Sequence, residues 1–405
     1  MNSDGPLADV KILDFMWVMA GPAGTRMLAD YGAQIVRVES PSRIDTARTL
    51  QPYQKDAFSA DASGLFNNCN AGKLGIAIDM SNARAREVVL DLVRWADVVT
   101  ESFSPKAMRK WGLDYESLRR IKPDAVMLSS CLFGQTGPLR QIAGFGNMAA
   151  AIAGFSNLAG WPDRAATGVF GAYTDYIAPR YTAIAILAAL EHRRRTGEGQ
   201  YIDQAQAESA LHFLAPAFLE YAVNHREPRR AGNSDRDLAP HGVYPAAGED
   251  RWVAIVCRGE SEWRALCGAM GKSELAGDPR FAALEARIAN NAALDRIIGE
   301  WTAGRAAADT EQLLQARGVP AYQVQNSSEA WRDAQFKHRR HSVEIDHQTL
   351  GRTTVEAPRA ILSRTPGAVR RAAPSLGRDN QYVLERILGY DAERISELAL
   401  AGVFG

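Results

Sequence analysis

Residues 10–39 read VKILDFMWVMAGPAGTRMLADYGAQIVRVE, and this stretch decides the fold class of the chain. The apolar run at 10–15 predicts a buried strand, which the glycines and proline at 21–24 break. Residues 25–31 predict a short helix and residues 34–38 a second strand. A strand, a helix and a second strand in this order are typical of a parallel α/β unit.

The same alternation continues along the first third of the chain. Strands are predicted at 76–79, 97–100 and 125–129, and an amphipathic helix is predicted at 83–95. Short apolar strands that alternate with helices favour a mainly parallel sheet covered by helices. The first part of the chain is therefore predicted to be α/β.

The pattern changes in the second half. A long helix is predicted at 175–195 and a polar linker at 225–239. Later elements are a strand at 252–257, helices at 260–271 and 291–303, and extended segments at 319–325 and 353–357. We therefore expect a second, smaller domain near residues 230–330.

Composition limits the classes of function. The chain has 405 residues, and its 47 basic and 47 acidic side chains give a formal net charge of zero. This balance argues against broad electrostatic attachment to nucleic acid or membrane. No signal peptide is evident, and the apolar stretch at 183–190 is too short to span a bilayer. The prediction is a cytoplasmic enzyme without nucleic-acid or membrane partners.

Several common site types find no support in the motifs. The four cysteines include no CxxC pair, and the seven histidines include no HxxxH spacing, so no metal site is predicted. No GxSxG sequence is present. The turn at 21–24 reads GPAG and lacks the GxGxxG fingerprint, which argues against NAD. Another anionic ligand at this turn, or a plain strand-to-helix turn, both stay open.

Asp175 is the most informative carboxylate. It directly precedes the apolar helix and follows the small residues at 168–174. An acidic residue at such a junction is usually a helix N-cap. The alternative is a carboxylate in a poorly solvated pocket, which acts as a nucleophile on an activated acyl group. The residues alone leave both interpretations open, and the GQTGP loop at 134–138 is equally open as an anion loop or an ordinary turn.

A set of motifs, in order along nearly the whole chain, resembles the family III CoA-transferases. The motifs are VMAGP at 18–22, VRVE at 36–39, NCN at 68–70 with Lys73, DVVTESF at 97–103, GQTGP at 134–138, Asp175 with ILAAL at 186–190, RRRTGEGQYID at 193–203, and APSLGRDNQ from residue 373.

The resemblance implies a discontinuous large domain and a small one. The large, Rossmann-like, CoA-binding domain would comprise residues 1–225 and 331–405, and the small α/β domain would comprise residues 226–330. Two subunits would interlock like chain links, as a homodimer or as a heteromer with a related subunit. No cofactor would be tightly bound, since a CoA thioester is itself a substrate.

The resemblance also implies a mechanism. Asp175 would attack the acyl-CoA thioester, giving first a mixed anhydride and then an aspartyl-CoA thioester, which the acceptor acid would resolve. Backbone amides near Gly134 and Gln135 would stabilise the oxyanion.

Positions that match the family also imply a CoA site. Val18, Met19 and Ala20 would contact CoA, and Ile78 would lie beside the adenine. Lys110, where the family often has arginine, would meet the phosphates, with Trp111 beside it. Ser40 replaces a basic residue of formyl-CoA transferase, so Arg43 is the candidate substitute, and the glycine-run loop of that enzyme has no counterpart.

The substrates are predicted from finer similarity. The stretches 158–163 and 171–180 look most like transferases that exchange CoA between succinate and benzylsuccinate in anaerobic aromatic degradation. Four aromatic residues either line a substrate pocket or belong to an ordinary core, namely Trp17, Phe145, Trp161 and Tyr173. Arg180 is a candidate partner for a second carboxylate.

Two alternatives accompany this prediction. The first is a 2-methylacyl-CoA racemase, which has the same fold but needs an opposing histidine base in a GHD segment. Residues 144–146 read GFG here, so that base is missing and a transferase is favoured. The second is an inactive partner subunit of a heteromer, against which the retained Asp175 argues.

Overall fold

A six-stranded parallel sheet organises the first of two compact units in the computed structural model, which describes residues 5–405. Its strands are β1 Lys11–Phe15, β2 Gln34–Glu39, β3 Leu74–Ala77, β4 Val98–Glu101, β5 Val126–Cys131 and β6 Tyr201–Ala205. Their order, β3-β2-β1-β4-β5-β6, is that of a doubly wound Rossmann-like sheet. The predicted mainly parallel α/β fold is confirmed.

Helices cover both faces of this sheet. In chain order, the helices up to residue 227 are α1 Ala20–Asp30, α2 Gly64–Asn70, α3 Ala85–Trp95, α4 Pro105–Trp111, α5 Tyr115–Ile121, α6 Gly146–Ala153, α7 Phe155–Leu158, α8 Tyr173–Thr196, α9 Gln206–Phe213 and α10 Ala215–Asn224. Helices α1 and α8 bury Ile12, Ile35 and Val126 on one face of the sheet. Helix α3 buries Leu13 and Val36 on the other face.

Helix α1 starts earlier than the sequence predicted. The glycines and proline at 21–24 were expected to form a turn after the first strand, but they lie in the first turns of the helix. Pro22 is tolerated there because the first N–H groups of a helix have no intrahelical partner. Gly24 is needed for packing, since a Cβ atom on it would lie 2.7 Å from Thr182 of α8.

The second unit comprises Asn157–Thr167 and Pro228–Lys337. Its antiparallel sheet contains β7 His241–Pro245, β8 Trp252–Val256 and β9 Ala321–Gln323. Its helices are α11 Glu260–Ala269, α12 Leu284–Ala289, α13 Asn291–Ala303, α14 Ala307–Gln315, α15 Ser327–Arg332 and α16 Ala334–His338, of which α16 ends at the boundary. Trp263, Phe281 and Ile298 belong to its core, which is separate from the cores of the first unit.

The chain from His338 to Gly405 belongs to the first unit. It forms the hairpin β10 Ser342–His347 and β11 Gly351–Glu356, followed by α17 Asn380–Tyr382 and α18 Ala392–Leu400. Leu398 and Val403 are buried in the same core as α3. The domain boundaries at 225–226 and 330–331 stay a prediction. In the structure, the chain passes from the first compact unit to the second after Glu227 and returns to the first after Lys337.

Short helical turns complete the description. They are the 3-10 turns Thr46–Thr49, Gln54–Asp56 and Ser273–Gly277 and the π-helical turn Val383–Ile387. Among residues 5–405, no helix combines the length and the apolar character that crossing a membrane requires.

Candidate active site

In the main sheet, β2 and β3 lie on one side of β1, whereas β4, β5 and β6 lie on its other side. The point between β1 and β4, where the chain changes sides, is the topological switch point of the sheet. In doubly wound sheets, ligands bind in the crevice at the carboxyl ends of the strands on either side of this point. Two cavities of the first unit lie there. Both are lined by Trp17, which follows β1, and by Phe103 and Ser104, which follow β4.

Asp175 lines the first cavity, whose volume is about 220 Å³. The residues around it lie at the carboxyl ends of β1, β4, β5 and β6 and in the loop before α6, and they include Val18, Met19, Ala20, Ser102, Ser130, Cys131, Arg140, Ile142, Phe145 and Gln206. Most of this wall is apolar or uncharged. Arg140 and Asp175 are the charged residues in it.

Asp175 is the third residue of α8, and its side chain does not cap the helix. Its carboxylate accepts a hydrogen bond from Nε2 of Gln206 at the start of α9. The same Nε2 donates to Oγ1 of Thr174 at 2.9 Å, and that hydroxyl donates to the carbonyl oxygen of Gly146 at 2.8 Å. The N-cap interpretation is therefore wrong, and the carboxylate is held by the side chain of Gln206.

Glycine is required at the start of α6 because the Asp175 carboxylate packs against it. A Cβ atom on Gly146 would lie 2.7 Å from Oδ1 of Asp175 and 2.8 Å from Oγ1 of Thr174. Backbone of α6 therefore forms one side of the carboxylate's pocket. A larger residue at 146 would displace the carboxylate.

Burial dominates the electrostatics of Asp175. Its side chain is only 8 % exposed, and this burial raises its pKa from 3.8 to about 6, although the hydrogen bond from Gln206 lowers it. No ion pair reaches this carboxylate among the described residues. At neutral pH it is therefore ionised, poorly solvated and unpaired, which suits a nucleophile.

The second cavity, of about 730 Å³, contains four of the residues predicted to bind CoA: Arg43, Ile78, Lys110 and Trp111. Aromatic rings join it to the first cavity. Trp17 and Phe103 meet edge to face with centroids 5.8 Å apart, and Phe103 meets Trp111 at 5.5 Å. The guanidinium of Arg43 lies 6.0 Å from the Trp17 ring. Basic side chains thus lie in the cavity that adjoins the one with Asp175.

Comparison with known proteins identifies the family. Residues 7–380 match CoA-transferase family III. The succinyl-CoA–D-citramalate CoA-transferase of Chloroflexus aurantiacus is 32% identical over 393 residues, which cover 97% of this chain and 96% of that protein. The succinate–glutarate CoA-transferase of Agrobacterium fabrum is 32% identical over 392 residues, with coverage of 95% and 96%. The chain belongs to CoA-transferase family III.

A solved structure agrees with this assignment. A CAIB/BAIF family protein from Brucella suis has a TM-score of 0.86 and 32% identity, and the similarity covers 96% of this chain and all of that one. Family III enzymes use CoA thioesters as substrates and hold no tightly bound cofactor. Among residues 5–405, no group of three or more His, Cys, Asp or Glu side chains could hold a metal ion.

In this CoA-transferase, some residues predicted for the site lie outside the Asp175 cavity. Gly134 lines a neighbouring cavity, and the N–H of Gln135 donates to Oδ1 of Asp203 at 2.8 Å. The ring of Tyr173 packs between Phe155 and Phe213. Gly134, Gln135 and Tyr173 are not among the residues that line the Asp175 cavity, so their predicted roles in oxyanion stabilisation and substrate binding stay predictions.

Two further predicted substrate residues also lie outside this cavity. Arg180 is exposed and donates to the carbonyl oxygen of Tyr176, one turn earlier in α8. Trp161 belongs to the second unit, where it packs over Gly232. Of the four predicted aromatic substrate residues, Trp17 and Phe145 line the Asp175 cavity.

Four residues of this site were not identified from the sequence: Gln206, Gly146, Arg140 and Glu101. Glu101 ends β4, where burial raises its pKa to about 7, and it accepts hydrogen bonds from the N–H of Phe103 and from Gln135. Its position at the carboxyl end of a strand beside the switch point was the available signal. Gln206 and Gly146 gave none, because only folding brings them to Asp175.

Proposed function

We propose that this enzyme moves CoA from succinyl-CoA to a small dicarboxylic acid, with Asp175 as the covalent nucleophile. The observation that carries the proposal is the buried, unpaired Asp175 carboxylate in a cavity that adjoins a larger one with Arg43 and Lys110. The names of two relatives support the substrate class, since each pairs a succinyl or succinate group with a second dicarboxylate.

The reaction begins when a carboxylate oxygen of Asp175 attacks the thioester carbonyl of succinyl-CoA. The carbon–sulfur bond breaks, and CoA leaves as a thiolate while a mixed anhydride remains on the enzyme. The thiolate then attacks the aspartyl carbonyl, which releases succinate and forms an aspartyl-CoA thioester. The acceptor acid attacks this thioester in turn, and the thiolate finally takes the acceptor acyl group and frees Asp175.

Negative charge that develops on the thioester oxygen needs hydrogen-bond donors. Of the predicted donors near Gly134 and Gln135, the N–H of Gln135 already donates to Oδ1 of Asp203. The first turn of α1 is better placed, since Ala20 and Gly21 line the Asp175 cavity and no side chain caps this helix. We assign the oxyanion to these N–H groups, where the helix dipole also favours negative charge.

Arg140 is proposed to hold the second carboxylate of the substrate. It is the only cationic side chain among the residues that line the Asp175 cavity, and a guanidinium pairs well with a carboxylate. Trp17 and Phe145 would pack against the carbon chain or against a benzyl group, so benzylsuccinate stays a candidate acceptor. Arg43 and Lys110 would meet the CoA phosphates, and Ile78 and Trp111 the adenine end.

A dimer is proposed for the assembled enzyme. Helix α10 buries none of its residues, yet it presents large apolar side chains, namely Phe218, Leu219, Tyr221 and Val223. An exposed apolar surface of this kind marks a protein–protein interface. An interlocked homodimer, or a heteromer with a related subunit, would cover it, and light scattering measures the subunit number directly.

Covalent trapping at Asp175 tests the mechanism. The enzyme is incubated with succinyl-CoA, treated with hydroxylamine or borohydride and analysed by peptide mass spectrometry. We expect a modified peptide that contains Asp175 and no modification in the Asp175→Asn variant. Activity that survives in Asp175→Asn, without any adduct in the wild type, would exclude this mechanism.

An acceptor panel tests the substrate class. Succinyl-CoA is offered with glutarate, citramalate, malate, mesaconate and benzylsuccinate, and CoA esters are separated by chromatography. Transfer to any of them supports a dicarboxylate acceptor, and transfer to monocarboxylates alone contradicts it. Solvent deuterium that enters the acyl α-carbon without acyl exchange would instead indicate the racemase.

A further inference from the structure

The backbone of the connection between β1 and α1 is hydrogen-bonded by four side chains, those of Asp14 on β1, Arg37 on β2, Asp45 and Ser102. The N–H of Met16 donates to Oδ1 of Asp14 at 2.9 Å, and its carbonyl oxygen accepts from Nη1 of Arg37. The N–H of Trp17 donates to Oγ of Ser102 at 2.9 Å. The N–H of Val18 donates to both carboxylate oxygens of Asp45, at 3.0 and 3.2 Å. Successive backbone groups of this turn are thus fixed individually.

Val18 has a backbone conformation that valine rarely adopts. Its φ angle is 67°, in the left-handed region, where a β-branched side chain is strained. Such strain persists only where the surroundings over-determine the conformation, and it concentrates at functional sites. Val18 lines the cavity that contains Asp175, directly before the first turn of α1.

Asp45 is the group that over-determines this conformation. Its side chain is completely buried and also accepts from the N–H of Ala47 at 2.9 Å. Its charge is balanced by Arg37, which forms an ion pair with it and at the same time binds the carbonyl of Met16. The carboxylate therefore joins the second strand of the sheet to the strained peptide at the cavity wall.

We propose that Asp45 is a positioning residue of this CoA-transferase, which holds the Val18 peptide in its left-handed conformation and so places the start of α1 against the substrate thioester. The inference rests on the proposed function in that it takes the Asp175 cavity as the reaction site. Asp45 touches no substrate. Its proposed effect on the reaction is transmitted through the Val18 peptide.

A double-mutant cycle between Asp45 and Val18 tests the proposal. In Asp45→Asn, the amide cannot replace both charged acceptor oxygens, and Val18 relaxes toward negative φ. We expect CoA binding by calorimetry and kcat/KM for succinyl-CoA to fall roughly 10- to 100-fold, since a displacement of about 1 Å at a reacting centre costs that much. Val18→Gly alone is the second reference of the cycle, because glycine adopts the same φ without strain, and any loss from the missing Val18 side chain is shared by the double variant.

The decisive variant is Val18→Gly combined with Asp45→Asn. Because glycine needs no clamp to reach positive φ, we expect Asp45→Asn to cost roughly tenfold less affinity and kcat/KM in the Val18→Gly background than in the wild type. A purely structural role for Asp45 would give equal losses in both backgrounds, and that additive result would overturn the proposal.

Asp61→Asn provides the matched control. Asp61 accepts from Arg48 in the same buried ionic network but makes no contact with the Val18 turn. Its loss should lower the melting temperature without changing CoA affinity. Covalent trapping at Asp175 is scored separately, so a failed nucleophile assignment leaves the binding cycle interpretable, and an additive cycle with successful trapping overturns the positioning role alone.

Discussion

Two buried aspartates of the first unit stand in opposite settings. Asp14, on β1, is completely buried and accepts from Nζ of Lys73 at 2.9 Å and from the hydroxyls of Thr25 and Thr100. Burial alone would raise its pKa, but Lys73 and Arg37 more than offset this and lower the pKa. Asp175 is nearly as buried and has no cationic partner, so burial raises its pKa to about 6. One carboxylate is neutralised by its surroundings, and the other is left reactive.

The two settings affect folding in opposite directions. The lowered pKa of Asp14 contributes stability that is present above its unfolded pKa and is lost as the pH falls through the folded one. The raised pKa of Asp175 favours folding only at low pH, and this contribution disappears as the pH rises from 3.8 through about 6. The charge of Asp175 therefore opposes folding at neutral pH, as expected of a group whose pKa is perturbed for the chemistry proposed above.

Replacing the reactive carboxylate should have the largest effect. We expect Asp175→Asn to lower kcat for CoA transfer by roughly 10³-fold or more, because it removes the proposed covalent nucleophile. It also removes an unpaired buried charge, so the free energy of unfolding at pH 8 should rise by about 1–3 kcal/mol. Steady-state kinetics and urea unfolding measure the two quantities.

The combination of lost activity and gained stability is what separates the two aspartates. The corresponding Asp14→Asn variant should lose stability, since Lys73 would then be buried without its counter-charge. If Asp175→Asn instead lost both activity and stability, Asp175 would belong with Asp14 as a structural residue.

Removing the cation of the Asp14–Lys73 ion pair should have the next largest effect. Nζ of Lys73 donates to Asp14, to the carbonyl of Pro22 in α1 and to Oδ1 of Asn70. We expect Lys73→Met to cost about 3–5 kcal/mol of unfolding free energy at pH 7, because it leaves Asp14 charged and buried. Chemical denaturation checks this value, and a cost below about 1 kcal/mol would show that Arg37 alone neutralises Asp14.

The sequence predicts the setting of these residues better than their contacts. The parallel sheet can be predicted from the apolar pattern at 10–39, because each strand and helix there is recognised from its own neighbouring residues. The glycines and proline at 21–24 were misassigned as a break because Gly24 is needed for contact with Thr182 of α8, far away along the chain. For the same reason Gln206 and Gly146 escaped prediction, since their contacts with Asp175 join positions that are about 30 residues apart.

A methyl group added to the pocket around Asp175 should have a smaller effect on activity than loss of the carboxylate. Gly146→Ala would place a Cβ atom 2.7 Å from Oδ1 of Asp175, so the carboxylate must move. We expect kcat/KM to fall roughly 10- to 100-fold, as for other small displacements of reacting groups. Gly168→Ala is the control, because nothing lies within 4 Å of its added methyl group. Equal activity in the two variants would contradict the close packing of α6 against the carboxylate.

The smallest expected effect concerns how Asp175 is tuned. Because the reactive form is the carboxylate, wild-type kcat/KM should fall as the pH drops below about 6. The hydrogen bond from Gln206 lowers this pKa against the effect of burial. Gln206→Leu keeps the volume and removes the donor, so the acid limb of the kcat/KM profile should move to higher pH. At pH 8 the loss should be less than about tenfold, since a hydrogen bond to a charged group contributes about 1.5–3 kcal/mol and about a third or more of Asp175 stays ionised there even at the upper value.

Gln204→Leu distinguishes tuning from general damage to this segment. Gln204 is buried to the same degree and lies two residues earlier, but it bonds Thr182 and the carbonyl of Ala178 rather than Asp175. Its replacement should lower stability and leave the acid limb in place. If both variants moved the acid limb of the kcat/KM profile equally, the ionisation of Asp175 would depend on the packing of α8 against β6 and not on the Gln206 amide. Burial alone would then explain why the pKa of Asp175 differs from that of the ion-paired Asp14.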